Sequence, residues 1–588
     1  MKEESKNNID VNQIDYLDDY IGKDILADNL IFMGGRKTES LNGPWNYAVD
    51  QYDCCLNQKW FLEIEKTENG FTYPHDYSFD TWPVMNLPCN WNMVEDKLFL
   101  YEGPMVFTRT FGFNKRENEK VFLRVGAANY ACRIFLNKQF IGAHFGGSTP
   151  FIVDITDYLE VSNRILFVVD NTRRADQVPM NNTDWYNYGG IYRDIEILRL
   201  PNVFIKDFKI ALVPDGKYNK IQALIRLSEP KNTEAQLKIE GLSISHTVAI
   251  QDGFGEIVFD ATPNLWSPES PTLYKVYASI DNDSIEDRVG FREIKIEGHN
   301  FFINGKKTFL HGISCHEDSI VNGKAFTLEE CKKIFSDAKE LGCNFMRLAH
   351  YPHTEMMSKT ADEVGILLWE EIPVYWHMQF SNPDTYQKAE NMLMELITRD
   401  YNRASVIIWS VGNENPDTEA RLTFMSKLAT KAHETDRTRK IAAACLVSNN
   451  NAIEDRLADY LDVIGINEYI GWYVPDFKEL PELFKNSKPT KPVIITEVGA
   501  GAKPGYHGPE CDKFTEEYQA YVYQKQIDEI RKIPYIQGMT PWILYDFRCP
   551  RRTNVLQDYY NRKGLIAPDR KYKKMAFHVL QEFYKSFD

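Results

Sequence analysis

Two glutamates each close an apolar run rich in β-branched residues: Val406-Ile-Ile-Trp-Ser-Val-Gly-Asn-Glu414 and Val493-Ile-Ile-Thr-Glu497. Runs of this kind, separated by helical patterns, read as buried parallel strands. A carboxylate at the end of such a strand is costly to bury unless it is paired or put to use. Two of them, on different strands of one sheet or barrel, have the makings of a two-carboxylate hydrolytic site. The plainer reading is a pair of structural, ion-paired glutamates.

The neighbouring strand ends carry suitable company. In chain order they hold His311 through His316-Glu317-Asp318, Arg347 to His350, Glu370-Glu371, Asn413-Glu414, Asn467-Glu468-Tyr469 with Trp472-Tyr473, Glu497, and Trp542 with Tyr545-Asp546. Aromatic rings cover the apolar faces of a sugar, amides and acids bind its hydroxyls, and two carboxylates flank the scissile bond. A general acid must keep its proton near neutral pH, which desolvation or a like charge provides, whereas a nucleophile must stay ionised among donors. Glu414, next to an Asn413 amide placed for the sugar 2-hydroxyl, suits the acid/base. Glu497, with Tyr469 as donor, suits the nucleophile. A carboxyl separation of about 5–5.5 Å would make the reaction retaining. Glu370-Glu371 reads as structural, the alternative being that one of the two tunes the pKa of a catalytic acid. His350 and His353 are separated by Tyr351-Pro352, which breaks any helix, so substrate contact or core is expected rather than a metal.

The elements that must position these groups emerge from texture. Strand candidates at 308–314, 345–350, 367–373, 406–414, 439–445, 463–469, 492–498 and 538–546 alternate with helical stretches at 328–341, 354–364, 385–402, 418–435, 513–531 and 571–584. Amphipathic spacing is plain at Cys331, Ile334, Phe335, Ala338 and Leu341. Eight such units in about 290 residues predict a TIM (β/α)8 barrel, with a doubly wound open sheet as the alternative. Before it, residues 41–200 show short alternating strands and a hairpin at Leu136-Asn-Lys-Gln-Phe140, a β-sandwich pattern. Residues 201–296 suit a second sandwich of immunoglobulin size. Residues 1–40 are polar and read as an N-terminal extension or surface arm.

Composition narrows the partners. The 588 residues carry a formal charge of −16, and 13% of them are aromatic. Nucleic acid and anionic membranes are therefore disfavoured, and no apolar run is long enough to span a bilayer. The start lacks an apolar secretory core. The ten cysteines are scattered, without metal-site or disulfide-framework spacing, so reduced thiols in a cytoplasm are expected.

These residues resemble glycoside hydrolase family 2 and, within it, the β-glucuronidases, over nearly everything from residue 41 onward. The resemblance is carried by Arg133-Ile-Phe-Leu-Asn-Lys through Gly146-Gly-Ser-Thr-Pro-Phe-Ile-Val-Asp154, by Val168-Val-Asp-Asn171, by Asn413-Glu414 and by Thr496-Glu497. It implies a jelly-roll sugar-binding-like domain, an immunoglobulin-like sandwich and a catalytic barrel at 297–588, in that order. It implies Glu414 as acid/base, Glu497 as nucleophile, and Asp184, His316, Asn413, Tyr469, Tyr473 and Trp542 as substrate contacts. The motif Asn561-Arg562-Lys563-Gly564 resembles the glucuronidases' Asn-x-Lys grip on the sugar carboxylate, a point charge beside an amide donor. Taken together, the resemblance implies a bacterial, cytoplasmic, retaining exo-β-D-glucuronidase. It would act on small-molecule or oligosaccharide glucuronides, need no metal or cofactor, and form a dimer or tetramer. Some relatives bind a flavin mononucleotide away from the active site, and no signature for one is visible here.

Two departures stand out. Many glucuronidases have an arginine where this chain has Gln557, with Arg548, Arg551 and Arg552 nearby as substitute cations. The stretch from Pro373 to Asp400 has no room for the long active-site loop of some gut bacterial relatives, which predicts an open mouth. A β-galacturonidase or β-galactosidase is the sibling reading, and a non-catalytic carbohydrate-binding protein on a dead barrel is the reading from another class.

Overall fold

The computed structural model describes residues 23–63 and 78–587; residues 1–22 of the expected extension lie outside them. Residues 38–201 form two antiparallel sheets face to face. One orders Val84–Leu87, Gly43–Val49, Pro104–Gly112, Ser162–Asp170, Ala131–Leu136 and Gln139–Phe145; the other orders Thr38–Ser40, Ile195–Pro201, Glu119–Val125 and Phe151–Asp154. Alternation puts Val121, Leu123 and Val125 inside with Trp45, Phe107 and Phe167, as a two-sheet sandwich requires. The hairpin turns on Asn137 and Lys138, both left-handed (φ 48° and 70°), the two-residue geometry that matches strand twist.

The second sandwich packs Ile205–Leu212, Lys220–Leu227 and Phe254–Asp260 against Ile244–Ile250, Thr233–Ile239, Tyr274–Ile280 and Asp283–Val289. Ile221, Ala223, Ile225 and Leu227 alternate strictly into its core.

Residues 23–40 depart from a free surface arm. Ile25 hydrogen-bonds the first sandwich at Ala143, and the Ala27 N–H donates to Asn391 Oδ1 (2.7 Å) on a barrel helix. Arg36 then clamps Asp283 of the second sandwich at 2.8 and 3.0 Å. The segment is a strap across all three units. Only part of its polarity serves these cross-domain bonds, since Lys23, Asp24, Lys37 and Glu39 are exposed.

From Leu310 the chain closes an eight-stranded parallel barrel: Leu310–Cys315, Phe345–Leu348, Leu367–Glu371, Val406–Asn413, Lys440–Leu446, Val463–Asn467, Val493–Glu497 and Ile536–Met539. The pairing of Leu310 with Gly538 closes the ring and rules out an open sheet. Its floor is apolar, with Trp266, Phe301, Leu310, Trp369, Ile408 and Ile494 packed together. The helices at Leu328–Leu341, Glu355–Val364, Pro383–Asp400, Glu419–Thr435, Glu516–Ile530 and Met575–Lys585 surround it.

Two expectations shift. The eighth strand ends at Met539, so Trp542 to Asp546 lie on the loop crossing the barrel top. A short helix at Glu479–Asn486, not anticipated, fills the sixth crossover, while the fifth carries only a 3-10 turn at Arg456–Tyr460.

Candidate active site

The barrel interior turns polar at the C-terminal ends of its strands, and one cation organises that layer. Arg347, fully buried on the second strand, donates to Glu371 Oε1 (2.9 Å) and Oε2 (3.1 Å), Glu497 Oε1 (2.9 Å) and Asn413 Oδ1 (2.6 Å). The Trp369 indole also donates to Glu371 Oε2 (2.8 Å), and His350 Nδ1 lies 2.9 Å from Oε1. Burial alone would raise the Glu371 carboxyl, but the Arg347 charge and the His350 contact hold it at about 2. Glu371 is thus the permanent counterion of Arg347, as expected of a structural acid.

Glu497 ends the seventh strand with both oxygens engaged: Arg347 on Oε1 and the Tyr469 hydroxyl on Oε2 (2.7 Å). Glu414 follows the fourth strand in a left-handed conformation (φ 52°), which turns its side chain toward Glu497. The Asn467 amide donates to Oε1 (3.0 Å) and the Trp376 indole to Oε2 (2.7 Å). Burial, reinforced by the Glu497 charge, pushes Glu414 up to about 7. One carboxyl protonated near neutrality beside another held by a cation and a hydroxyl is the electrostatic arrangement that an acid/nucleophile pair requires.

Both glutamates line one cavity of about 730 Å³ at the barrel mouth, together with Asp184, Tyr469, Tyr473, Trp542, Asn561 and Lys563. Asp184 comes from the first sandwich. It accepts from Arg552 at 3.1 and 2.5 Å and from the Asn561 amide at 3.1 Å. Lys563 is only 4% exposed, and its ammonium donates to the Tyr473 hydroxyl (2.9 Å) among the rings of Tyr469, Trp472 and Tyr473. Among the described residues no carboxylate pairs with it. The Lys563 charge in turn lowers the Tyr473 hydroxyl against the effect of burial.

Two of the expected contacts stand behind the wall. Asn413 offers its Oδ1 to Arg347 and Asn467, while its amide nitrogen is buried without a partner. His316 packs edge-on behind Trp542, with Nδ1 3.0 Å from the Tyr351 hydroxyl; burial lowers its ring well below the usual range. Among the substitute cations, Arg548 turns away to the carbonyls of Ser319 and Ile320, whereas Arg551 and Arg552 line the cavity. Gln557 accepts from Asn554 (2.6 Å) and stays out of the cavity. Trp376 was not anticipated. It sits in the loop after the third strand, and its only sequence signal is an aromatic close to a strand end. His350 and His353 do not converge: His353 Nε2 lies 2.9 Å from the Ala349 carbonyl. Among the described residues no group of three His, Cys, Asp or Glu side chains could hold a metal.

Comparison with known families fixes the chain's place. The model of the glycosyl hydrolases family 2 TIM barrel domain matches residues 294–588, that of the family's sugar binding domain 38–201, and the family's own model 203–292. The chain belongs to glycosyl hydrolase family 2. It is a glycoside hydrolase of sandwich–sandwich–barrel architecture. A curated β-glucuronidase of Mus musculus is 28% identical over 93% of this chain and 91% of its own length. Among solved structures, a family 2 β-galacturonidase from Eisenbergiella tayi bound to galacturonate is 26% identical, with TM-score 0.80, over 95% of this chain and 99% of that one. A Bifidobacterium dentium β-glucuronidase complexed with coumarin-3-O-glucuronide is 25% identical, with TM-score 0.82, over 94% and 97%.

Proposed function

We propose that this family 2 hydrolase is a retaining exo-β-D-glucuronidase, with Glu414 as acid/base and Glu497 as nucleophile. The observation that carries the substrate class is Lys563. A buried ammonium without a carboxylate partner is costly. It faces the cavity beside Asn561, whose oxygen orders the Lys563 N–H at 3.1 Å, so a substrate carboxylate completes the pair. The similar β-glucuronidases of Mus musculus and Bifidobacterium dentium support the same class.

In the reaction, Arg347 and Tyr469 fix the two oxygens of Glu497 for attack on the anomeric carbon. Glu414 delivers its proton to the departing glycosidic oxygen, leaving a covalent glycosyl-enzyme. The now ionised Glu414 then takes a proton from the water that releases the sugar. Asn413, behind the wall, acts through the cation instead, its Oδ1 accepting from Arg347 at 2.6 Å. The scheme uses no metal, flavin or other cofactor. We further propose a reducing cytoplasm for the protein, because all ten cysteines are free thiols, and a homo-oligomer, to be checked by light scattering.

The E. tayi likeness favours one second reading, a β-galacturonidase, since Lys563 serves either uronate and the two sugars differ only at the 4-hydroxyl. Hydrolysis of 4-nitrophenyl β-D-glucuronide and β-D-galacturonide under one set of conditions decides between them. Faster turnover of the galacturonide would replace the primary reading, and turnover of the neutral β-D-galactoside alone would reject both.

A further inference from the structure

We propose that Trp376 is a positioning residue for the acid/base, holding the Glu414 carboxyl in the one orientation from which it protonates the leaving group. The inference rests on the reading of Glu414 as the acid/base.

The loop after the third barrel strand is joined to the segment around Glu414 from both sides. The Asn413 N–H donates to the Val374 carbonyl and the Trp376 N–H to the Asn413 carbonyl, each at 2.9 Å. The Asn415 amide donates back to the carbonyls of Trp376 (2.8 Å) and Val374 (3.2 Å). Within this lacing Trp376 and Glu414 both adopt left-handed backbone, with φ of 54° and 52°. Bulky side chains enter that region only where the surroundings over-determine it, and such positions cluster at functional sites. The conformation aims the Trp376 indole N–H at Glu414 Oε2, 2.7 Å away. The indole is packed in place: it stacks on Tyr375 with centroids 4.5 Å apart, and the Arg551 guanidinium lies 5.3 Å from its ring centroid.

The second oxygen is fixed as firmly. Asn467 donates to Oε1, and its amide is held by a second donation to Asn413 Oδ1 (3.1 Å) and by the Thr496 hydroxyl on its oxygen (2.6 Å). With one N–H on each oxygen, the plane of the carboxyl is set before substrate arrives. An indole N–H can only donate. It therefore favours ionised Glu414, partly offsets burial and the Glu497 charge, and makes the bound proton easier to release.

Trp376→Phe keeps the stack and removes the donor. The alkaline limb of kcat/KM is expected to move up by about 1 pH unit, since the carboxyl holds its proton longer without the N–H. The loss in kcat is expected to depend on the leaving group. It should be about tenfold or more for methyl β-D-glucuronide, which needs the proton, and under about twofold for the 2,4-dinitrophenyl glycoside, which does not. Arg551→Leu, at a half-exposed position, loosens the same ring and should move both readouts the same way by less; it serves if Trp376→Phe fails to fold. Glu414→Ala runs alongside. If that variant loses all leaving groups equally and azide restores nothing, the acid/base reading itself fails. If it behaves as an acid/base deletion while Trp376→Phe, or Arg551→Leu in its place, leaves both the limb and the leaving-group dependence unchanged, only the role of Trp376 is overturned.

Discussion

Lys563 and Glu414 show how single side chains acquire function from what surrounds them. Lys563 is buried against three aromatic rings and pairs with no carboxylate among the described residues, so in the proposed reading a substrate carboxylate supplies its counterion. Lys563→Ala should lower kcat/KM on 4-nitrophenyl β-D-glucuronide by about 2–4 kcal/mol, as for other lost charge partners. Residual activity on the neutral glucoside should hardly change, and equal losses on both would remove the carboxylate role. Glu414 sits at about 7 because burial and Glu497 both disfavour its charge. The acid is therefore loaded below that value and empties above it, so kcat/KM should fall as pH rises through about 7. In Glu414→Gln that limb should vanish, with kcat down by about 10²–10⁴. The two residues stand out in the sequence because each lies within a local pattern, a strand end or an Asn-x-Lys. Trp376 does not, because nothing local announces a left-handed loop residue folded back on the next strand.

At the scale of the element, the polar layer of the barrel is a single network centred on Arg347. It spans the second, third, fourth and seventh strands through Glu371, Asn413 and Glu497. Removing the cation leaves two buried carboxylates without it. Arg347→Met should destabilise the fold by about 3–5 kcal/mol, measured by urea unfolding at pH 7. The dependence on pH is also fixed in sign. Glu371 is depressed to about 2, so its contribution is complete above the ordinary carboxylate range and is lost as pH falls toward 2. The penalty in Arg347→Met should therefore shrink on acidification, and a penalty that grew would contradict the pairing. Periodicity revealed most of these elements: the helix at Leu328–Leu341 begins and ends where its apolar spacing and the Gly342 stop place it. The helix at Glu479–Asn486 escaped because eight residues give barely two turns of pattern. The eighth strand ends short of its apolar run, because Trp542–Leu544 continue that run after the backbone has left the barrel.

Across the whole molecule, the cavity belongs to two domains. Asp184 reaches the barrel mouth from the sandwich, 368 residues from its partner Arg552, a distance over which no sequence pattern reports pairing. The seam below is also charged. Arg193 donates to buried Glu317 at 2.9 Å, and Thr149 with His144 meets buried Glu395 at 2.5 and 2.9 Å. A chain starting at residue 294 keeps Glu414, Glu497 and Lys563 but loses Asp184 and leaves Glu317 and Glu395 without these sandwich partners. Truncation also bares the apolar barrel surface that packs against Tyr130, Ala131 and Val178 of the sandwich, and apolar area returned to water is destabilising, so the isolated barrel should be unstable, visible as early urea unfolding, and inactive on 4-nitrophenyl β-D-glucuronide. Asp184→Ala in the full chain separates the two effects. The seam stays intact, so the unfolding free energy from urea titration should stay within about 1 kcal/mol of the parent. Freed Arg552 and Asn561 then lose the carboxylate that orders them, and kcat/KM should drop by about 1–3 kcal/mol. A barrel fragment that folds and hydrolyses glucuronides at the parent rate would show that the sandwich contributes nothing to the site, whereas a stable but impaired Asp184→Ala locates the sandwich's share of catalysis in that one carboxylate.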